Sequence, residues 1–391
     1  MQRRRFLRVG GGLAAGAMAS LLGGCNDSDP DASPSPSTTS PEPDETPTTS
    51  ETTETTEPPE GSASATVEDT VATGLAVPWG IAFLPTAPDP GTALVSERDT
   101  ARILRVTPGR EPVEVGVVPG VRPGIEESGE GGLLGLLWVP ESVDRPLYAY
   151  LSTAEDNRVV RMSYDRGRIG EPEVLLAGIP TGVNHNGGRL ALGPDGMIYI
   201  STGETYEIAL AQDKESLGGK ILRMTPDGKV PFGNPFRTFV WSYGHRNIEG
   251  LSFDGAGRLW SSEFGAQTWD ELNLIEGGAN YGWPLAEGSD GENGFTRPVS
   301  QWPTEECSPG SVAVTEQTAW VPALQGECLW AVPLTGEVAG RQVRWLDGEY
   351  GRLRTAQVAP DGALWLGTSN KDGRGSPARD DDRIFRVVLG S

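Results

Sequence analysis

The stretch "GGRLALGPDGMIYISTGE", residues 187–204, decides how this chain folds. A short alternating run, with Leu190 and Leu192 on one face, meets the turn residues Pro194, Asp195 and Gly196, and a second apolar run follows from Met197. Alternation with period two marks a half-buried strand, while Pro, Asp and Gly supply the geometry of a tight turn. After a loop, "GGKILRMTPDG" (218–228) adds a third strand and a second turn of the same composition. Read together they form an antiparallel unit.

The same pattern returns six times from residue 66 onward. One copy is "PWGIAFLP", "TALVSER" and "ARILRVTPG"; another is "GGLLGLLWVPE" with "PLYAYLST" and "NRVVRMSYD". Later copies are "EGLSFDGAGRLWSSEFG" with "DELNLI", then "GSVAVTEQTAWVPALQGECLWAVPL", and last "RTAQVAPDGALWLGTSN" with "DRIFRVV". Their turns at Pro85, Pro140, Pro194, Asp254, Glu316 and Pro360 are spaced by 55, 54, 60, 62 and 44 residues, room for about four strands each. The pattern predicts an all-β chain closed into a six-bladed β-propeller over residues 66–391, since closure removes the sheet edges that a row of strands would expose. "SATVEDTVATGL" (64–75) is expected to give a strand to the last blade and fasten the ring. A pair of β-sandwiches would not account for six similar units. Trp79, Trp138, Trp260 and Trp365 fall inside strand patterns and read as packing between blades.

The N-terminal residues are of another kind. "MQRRRFLRVGGGLAAGAMASLLGGC" (1–25) sets Arg3, Arg4 and Arg5 before Phe-Leu and a Gly/Ala/Leu stretch, and resembles a twin-arginine export signal ending in a lipoprotein box at Cys25. Residues 26–65 are Ser, Thr, Pro and acid, with too little apolar surface to offset the entropy of ordering, and read as a disordered tether. Export and lipid anchoring outside the cytoplasmic membrane follow as expectations. With the tether's ten acids and the signal's four arginines set aside, the net charge of −22 leaves about −16 on residues 66–391. Such a surface excludes nucleic acid and anionic lipid as partners, so membrane contact would come through the lipid alone. Cys307 and Cys328 are expected to pair as a disulfide in an oxidising compartment.

Ring closure would gather loops at the inner-strand ends into one pocket. The segments that enter or leave those strands carry Glu130, His185, Arg246 with Asn247, Gly265, Gln325, and Arg352 with Arg354. One imidazole, three guanidiniums, amides and a carboxylate suit an anionic, carbonyl-rich ligand beside a hydroxyl-bearing substrate.

"VPWGIAFLP", "EGGLLG", "NHNGGRL", "GGKILRMTPDG", "WSYGHRNIEGLSFD", "DELNLIEGGANYGWP" and "YGRLRTAQVAPDG", in this order over residues 70–390, resemble the soluble glucose/sorbosone dehydrogenase family. Its members include aldose sugar dehydrogenases that use pyrroloquinoline quinone (PQQ) and calcium. The resemblance implies that His185 takes the proton of a sugar's anomeric hydroxyl and that Arg246 stabilises charge on the quinone. It implies cofactor contacts from Asn247, Arg352 and Arg354, and from the positions of Glu130 and Gln325, where the family commonly has Gln and a basic residue. It implies calcium on the main-chain carbonyls of Gly265 and Ala266, and a second calcium at Glu271 and Tyr281, with Asp290 as a further ligand. The partners implied are a sugar substrate and a membrane or periplasmic electron acceptor. A calcium-dependent lactonase and a non-catalytic sugar- or protein-binding propeller are the alternative readings.

Overall fold

The computed structural model describes residues 63–85, 89–124, 129–139, 146–290, 294–336 and 339–390. The lipidation candidate Cys25, the signal and nearly all of the tether lie outside them, as does the side chain of Asp290.

Six antiparallel sheets follow one another; five are built from strands consecutive in the chain, and the sixth adds the N-terminal strand to the last three. From the axis outward, blade 1 runs Pro78–Phe83, Ala93–Glu97, Arg102–Val106, Val113–Val117. The inner strands of blades 2 to 6 are Leu133–Trp138, Leu190–Leu192, Asn247–Phe253, Ala313–Thr315 and Leu353–Val358. Blade 6 is completed by Ser64–Ala72, which pairs antiparallel with Ile384–Gly390. The N-terminal strand thus closes the ring as expected, beginning two residues before the boundary drawn at 66.

Burial explains why the blades stay together. Six hydrophobic clusters fill the six gaps between neighbouring blades. Trp260 and Trp302 fill the gap between blades 4 and 5, and Trp365 that between blades 6 and 1. Trp79 does more than pack between blades, because its ring lies under the guanidinium of Arg189, with 4.0 Å from Cζ to the ring centroid.

Near the axis the inner strands approach closely enough to need glycine. Gly188, at φ +116, has room for no side chain: a Cβ there would stand 2.7 Å from Leu134 Cδ1 in blade 2. Gly187, at φ +63, would meet Thr202 Cα at 2.5 Å. The paired glycines of "NHNGGRL" therefore let blade 3 reach the axis, and Arg189 follows directly.

Arg189 crosses the channel. Its Nε donates to the Glu249 carbonyl at 2.8 Å, Nη1 to the Trp79 carbonyl at 3.2 Å and Nη2 to the Gly310 carbonyl at 3.3 Å. One side chain of blade 3 thereby ties blades 1, 4 and 5. Burial depresses its pKa to about 9, against the pull of the Glu249 carboxylate, so it stays charged at neutral pH. Arg354 of blade 6 donates to Glu249 Oε2 at 2.6 Å and brings a fifth blade into the same cluster. Beyond this plug, at the far end of the inner strands, the channel opens into a cavity of about 440 Å³ bordered by Phe83, Trp138, Leu192, Phe253 and Val358.

The expected disulfide is not formed. Cys307 and Cys328 are free thiols, both fully buried against Trp260, Leu272 and Trp302. Burial pushes both thiols up, that of Cys328 to about 12, which suppresses the thiolate needed for disulfide exchange. They pack as small apolar side chains.

Two outcomes follow. In urea unfolding, Arg189→Leu should lose about 3 kcal/mol or more, because three buried carbonyls lose their donor and the Glu249 carboxylate loses a nearby positive charge; a loss under about 1 kcal/mol would show that the plug does not hold the ring. Under non-reducing conditions an alkylating reagent should label Cys307 and Cys328 after denaturation and neither in the native protein. A missing label after denaturation would restore the disulfide.

Candidate active site

The mouth opposite the apolar cavity is polar, and its construction starts at His185. This residue takes the left-handed conformation at φ +56, which a side chain adopts only when its surroundings impose it. Three contacts do so. The His185 N–H donates to Glu130 Oε2 at 3.0 Å, its carbonyl accepts from the Thr205 N–H at 3.3 Å, and Nδ1 bonds the Glu204 carboxylate, which is fully buried. With Nδ1–H committed to a carboxylate, Nε2 is left with the lone pair. Glu204 Oε2 has no partner among the described residues.

Neighbouring segments are linked to this centre in turn. The Glu204 N–H donates to the Arg246 carbonyl at 2.9 Å, and Asn247 Oδ1 accepts the Gly187 N–H at 3.0 Å. Arg246 is held through its backbone N–H by Glu263 Oε1, while its guanidinium lies over the Trp283 ring, 5.5 Å from the centroid. It forms no ion pair among the described residues, and so keeps its charge available.

Arg352 and Arg354 lie on the same side of the chain, as their alternation predicts, but both are already occupied. Arg352 donates from Nε and Nη2 to Asp372 Oδ2 at 3.1 and 3.0 Å, and Arg354 Nη2 stands 3.6 Å from the same oxygen. Burial raises the Asp372 carboxyl, but Arg354 and Arg352 outweigh it and hold the group below its usual range. For Glu249 burial prevails over Arg354, and its carboxyl is raised. Arg352 Nη1 also donates to the Leu324 carbonyl at 3.2 Å, beside Gln325. Gln325 is exposed, and its side chain makes no hydrogen bond among the described residues.

The metal candidates fall into two groups. Gly265, Glu271 and Tyr281 line one small cavity with Arg246, Glu263, Trp283 and Glu287, whereas Ala266 does not reach it. Glu271 faces Glu263 across neighbouring strands. Burial and then the Glu263 charge push its carboxyl up to about 8. Its oxygens accept from the Gly288 N–H at 2.6 Å and from Asn273 Nδ2 at 2.9 Å, while Asn273 Oδ1 is buried without a partner. Glu287 Oε1 gathers the N–H groups of residues 266–269 and fixes this turn. Among the described residues no three His, Cys, Asp or Glu side chains converge as a metal cage, so a cation here would rely on carbonyls and at most two carboxylates.

His245 is a packing residue. It is fully buried, bonded to Ser242 Oγ and Glu263 Oε2 at 2.9 Å each, and stacked on Tyr281 at 4.6 Å.

Sequence reasoning found the cations of the mouth and missed their acids: Glu204, Glu249, Asp372 and Glu263. One signal was available. An acid lies at the end of the second strand of two repeats, Glu97 in "VSER" and Glu263 in "SSEF", and three residues beyond it in a third, Glu204 in "STGE". Each accepts hydrogen bonds at the mouth-side end of its blade. Tyr206, with its ring 4.1 Å from that of His185, was also missed. Its loop is clamped by Lys220, whose Nζ donates to the carbonyls of Leu210, Ala211 and Gly218; burial brings this amine down to about 7.

A six-bladed ring whose mouth holds an imidazole bonded to a buried carboxylate, with a guanidinium that forms no ion pair among the described residues, has the make-up of a propeller enzyme. The chain belongs to the glucose/sorbosone dehydrogenase family, whose model matches residues 75–378. It is 51% identical to the PQQ-bound aldose sugar dehydrogenase of Streptomyces coelicolor, with a TM-score of 0.78, over 84% of this chain and 98% of that one. A Thermus thermophilus structure described as a glucose dehydrogenase is 41% identical with a TM-score of 0.75, over 83% of this chain and 100% of that one. The aldose sugar dehydrogenase YliI of Escherichia coli K12 is 28% identical over 76% of this chain and 88% of its own.

Proposed function

We propose that this chain is a PQQ- and calcium-dependent dehydrogenase that oxidises an aldose at its anomeric hydroxyl to the lactone. It would be exported, anchored by lipid on Cys25, and would pass electrons to a membrane or periplasmic acceptor. The observation that carries the chemistry is the His185–Glu204 pair at the mouth; the similarity to the Streptomyces enzyme, whose structure holds PQQ, supports the cofactor.

The donor set fits an anionic quinone. Arg246 donates to the Phe264 carbonyl at 3.4 Å but forms no ion pair among the described residues, and Asn247 uses only its Oδ1 within them. Trp283 Nε1, on the indole under Arg246, is buried without a partner among the described residues. These three would hold the ligand, and Arg352 and Arg354, engaged by Asp372 and Glu249, would add positive charge behind them. The second calcium fits a small cavity where the carboxylates of Glu271 and Glu263 face each other across neighbouring strands. Glu271 and the Tyr281 carbonyl would hold that ion. Gly265 and Ala266 carbonyls would hold the one beside the cofactor, where it acts as a Lewis acid.

When bound, the quinone supplies the acceptor for the hydride that leaves the anomeric carbon. Everything else is done by the chain. His185 Nε2 takes the hydroxyl proton, and Glu204 keeps Nδ1 protonated and stabilises the imidazolium that forms. The strained backbone at His185 fixes the ring before the sugar arrives, so little reorganisation remains. Arg246 places a fixed positive charge where negative charge develops. The lactonase reading needs converging acidic ligands, which the described residues do not supply. The non-catalytic reading is favoured by Glu130 and Gln325 standing where the family commonly has Gln and a basic residue, and Arg374 pairs with the Glu130 carboxylate at 2.8 Å.

Purified protein reconstituted with PQQ and calcium should reduce a dye with aldoses as donors. His185→Ala should lower the rate about 100- to 10,000-fold and Glu204→Gln about 100-fold, with PQQ affinity nearly unchanged. Full activity in His185→Ala, or equal dye reduction without PQQ, would reject the proposal. In quinone-free protein, calcium at a hundredfold over its Kd should raise the melting temperature by about 5 °C. Glu271→Gln should remove that rise; an equal rise in the variant would put the ion elsewhere.

A further inference from the structure

The turn Lys371–Ser376 leaves blade 6 next to the strand that carries Arg352 and Arg354. Asp372, with its side chain 1% exposed, is the inward end of this turn and binds both arginines through Oδ2. Its Oδ1 accepts the Arg374 N–H at 2.9 Å. Gly373, at φ +88, and Gly375, where a Cβ would stand 2.9 Å from Arg352 Cδ, mould the turn onto Arg352. Arg374 is the outward end. Its side chain is 46% exposed, and Nη1 donates to Glu130 Oε1 at 2.8 Å.

Glu130 belongs to blade 2, and its other oxygen accepts the N–H of His185 in blade 3. A chain of contacts therefore runs from Arg352 and Arg354 through Asp372 and Arg374 to Glu130 and the His185 backbone. Within it Glu130 is the carboxylate nearest the catalytic imidazole on the mouth side, and Arg374 is its sole side-chain cation among the described residues. Burial raises the Glu130 carboxyl, but Arg374 and the His185 N–H outweigh it and keep the group ionised.

We propose that Arg374 is a positioning residue for ligand binding: it cancels the Glu130 charge so that the mouth admits an anionic cofactor while Glu130 keeps its hold on His185. The proposal rests on reading the mouth as a quinone site. Without Arg374 an ionised carboxylate would face the quinone's own carboxylates across the entrance, and like charges in a partly desolvated site repel strongly. Arg374 thus acts on the ligand through Glu130, which separates it from Arg246.

The test is equilibrium dialysis of PQQ, with calcium, against full-length protein and four variants. Arg374→Ala should weaken binding at least tenfold, and Arg374→Lys should stay within about threefold of the parent. Glu130→Gln should bind as tightly as the parent or tighter. The double variant Glu130→Gln/Arg374→Ala should return to within about threefold of the parent, because the charge that needed cancelling is gone. Unchanged binding in Arg374→Ala overturns the proposal, and so does a double variant as weak as Arg374→Ala. A parent protein that takes up no PQQ overturns instead the reading of the mouth on which the proposal stands.

Discussion

A single guanidinium at the axis governs much of this molecule. Arg189 meets carbonyls from blades 1, 4 and 5, rests on the Trp79 ring, and shares Glu249 with Arg354 of blade 6. A six-bladed ring without such a plug would leave the inner strands facing an open channel, with backbone carbonyls looking for partners. The plug meets that need with five fixed N–H donors on one planar group. It also divides the channel into two unlike ends, one apolar and one polar. Only the polar end carries an imidazole.

The polar mouth is organised by pairing of opposite charges drawn from distant parts of the chain. Asp372 restrains two arginines, Glu249 a third contact, and Glu130 the guanidinium of Arg374. Buried ion pairs of this kind add little to stability, since desolvation offsets most of the attraction. Their effect here is geometric: each long side chain is fixed before any ligand arrives, which lowers the entropy cost of binding. Arg246 is the exception, stacked on an indole and paired with no carboxylate among the described residues. An incoming anion meets one uncommitted cation and a frame that is already set.

The fold was legible because it is periodic. Each unit repeats the same apolar alternation and the same Pro-Asp-Gly chemistry, so six weak signals reinforce one another, and even the closing strand at 64–72 could be placed. The site was legible only in part. His185 and the arginines stand out because they are rare or grouped, whereas their partners are drawn from 54 acidic residues with nothing local to distinguish them. Arg374 meets Glu130 across 244 positions, and no pattern within a repeat announces such a contact. Glu204 and Glu263 were the recoverable cases, because each follows the second apolar run of its repeat. The cysteines failed for another reason: the compartment argument predicts what two thiols can do when exposed, and these are sealed under tryptophan.

The central claim is that ring closure makes one ligand site from His185, Arg246 and the arginines of blade 6. The most direct measurement is a crystal structure of the protein soaked with PQQ and calcium. Density for the quinone in the polar mouth, within hydrogen-bonding distance of Arg246 and beside His185 Nε2, is the predicted result. Quinone bound in the apolar cavity beyond Arg189, or on an outer blade face with the mouth unchanged, would contradict it.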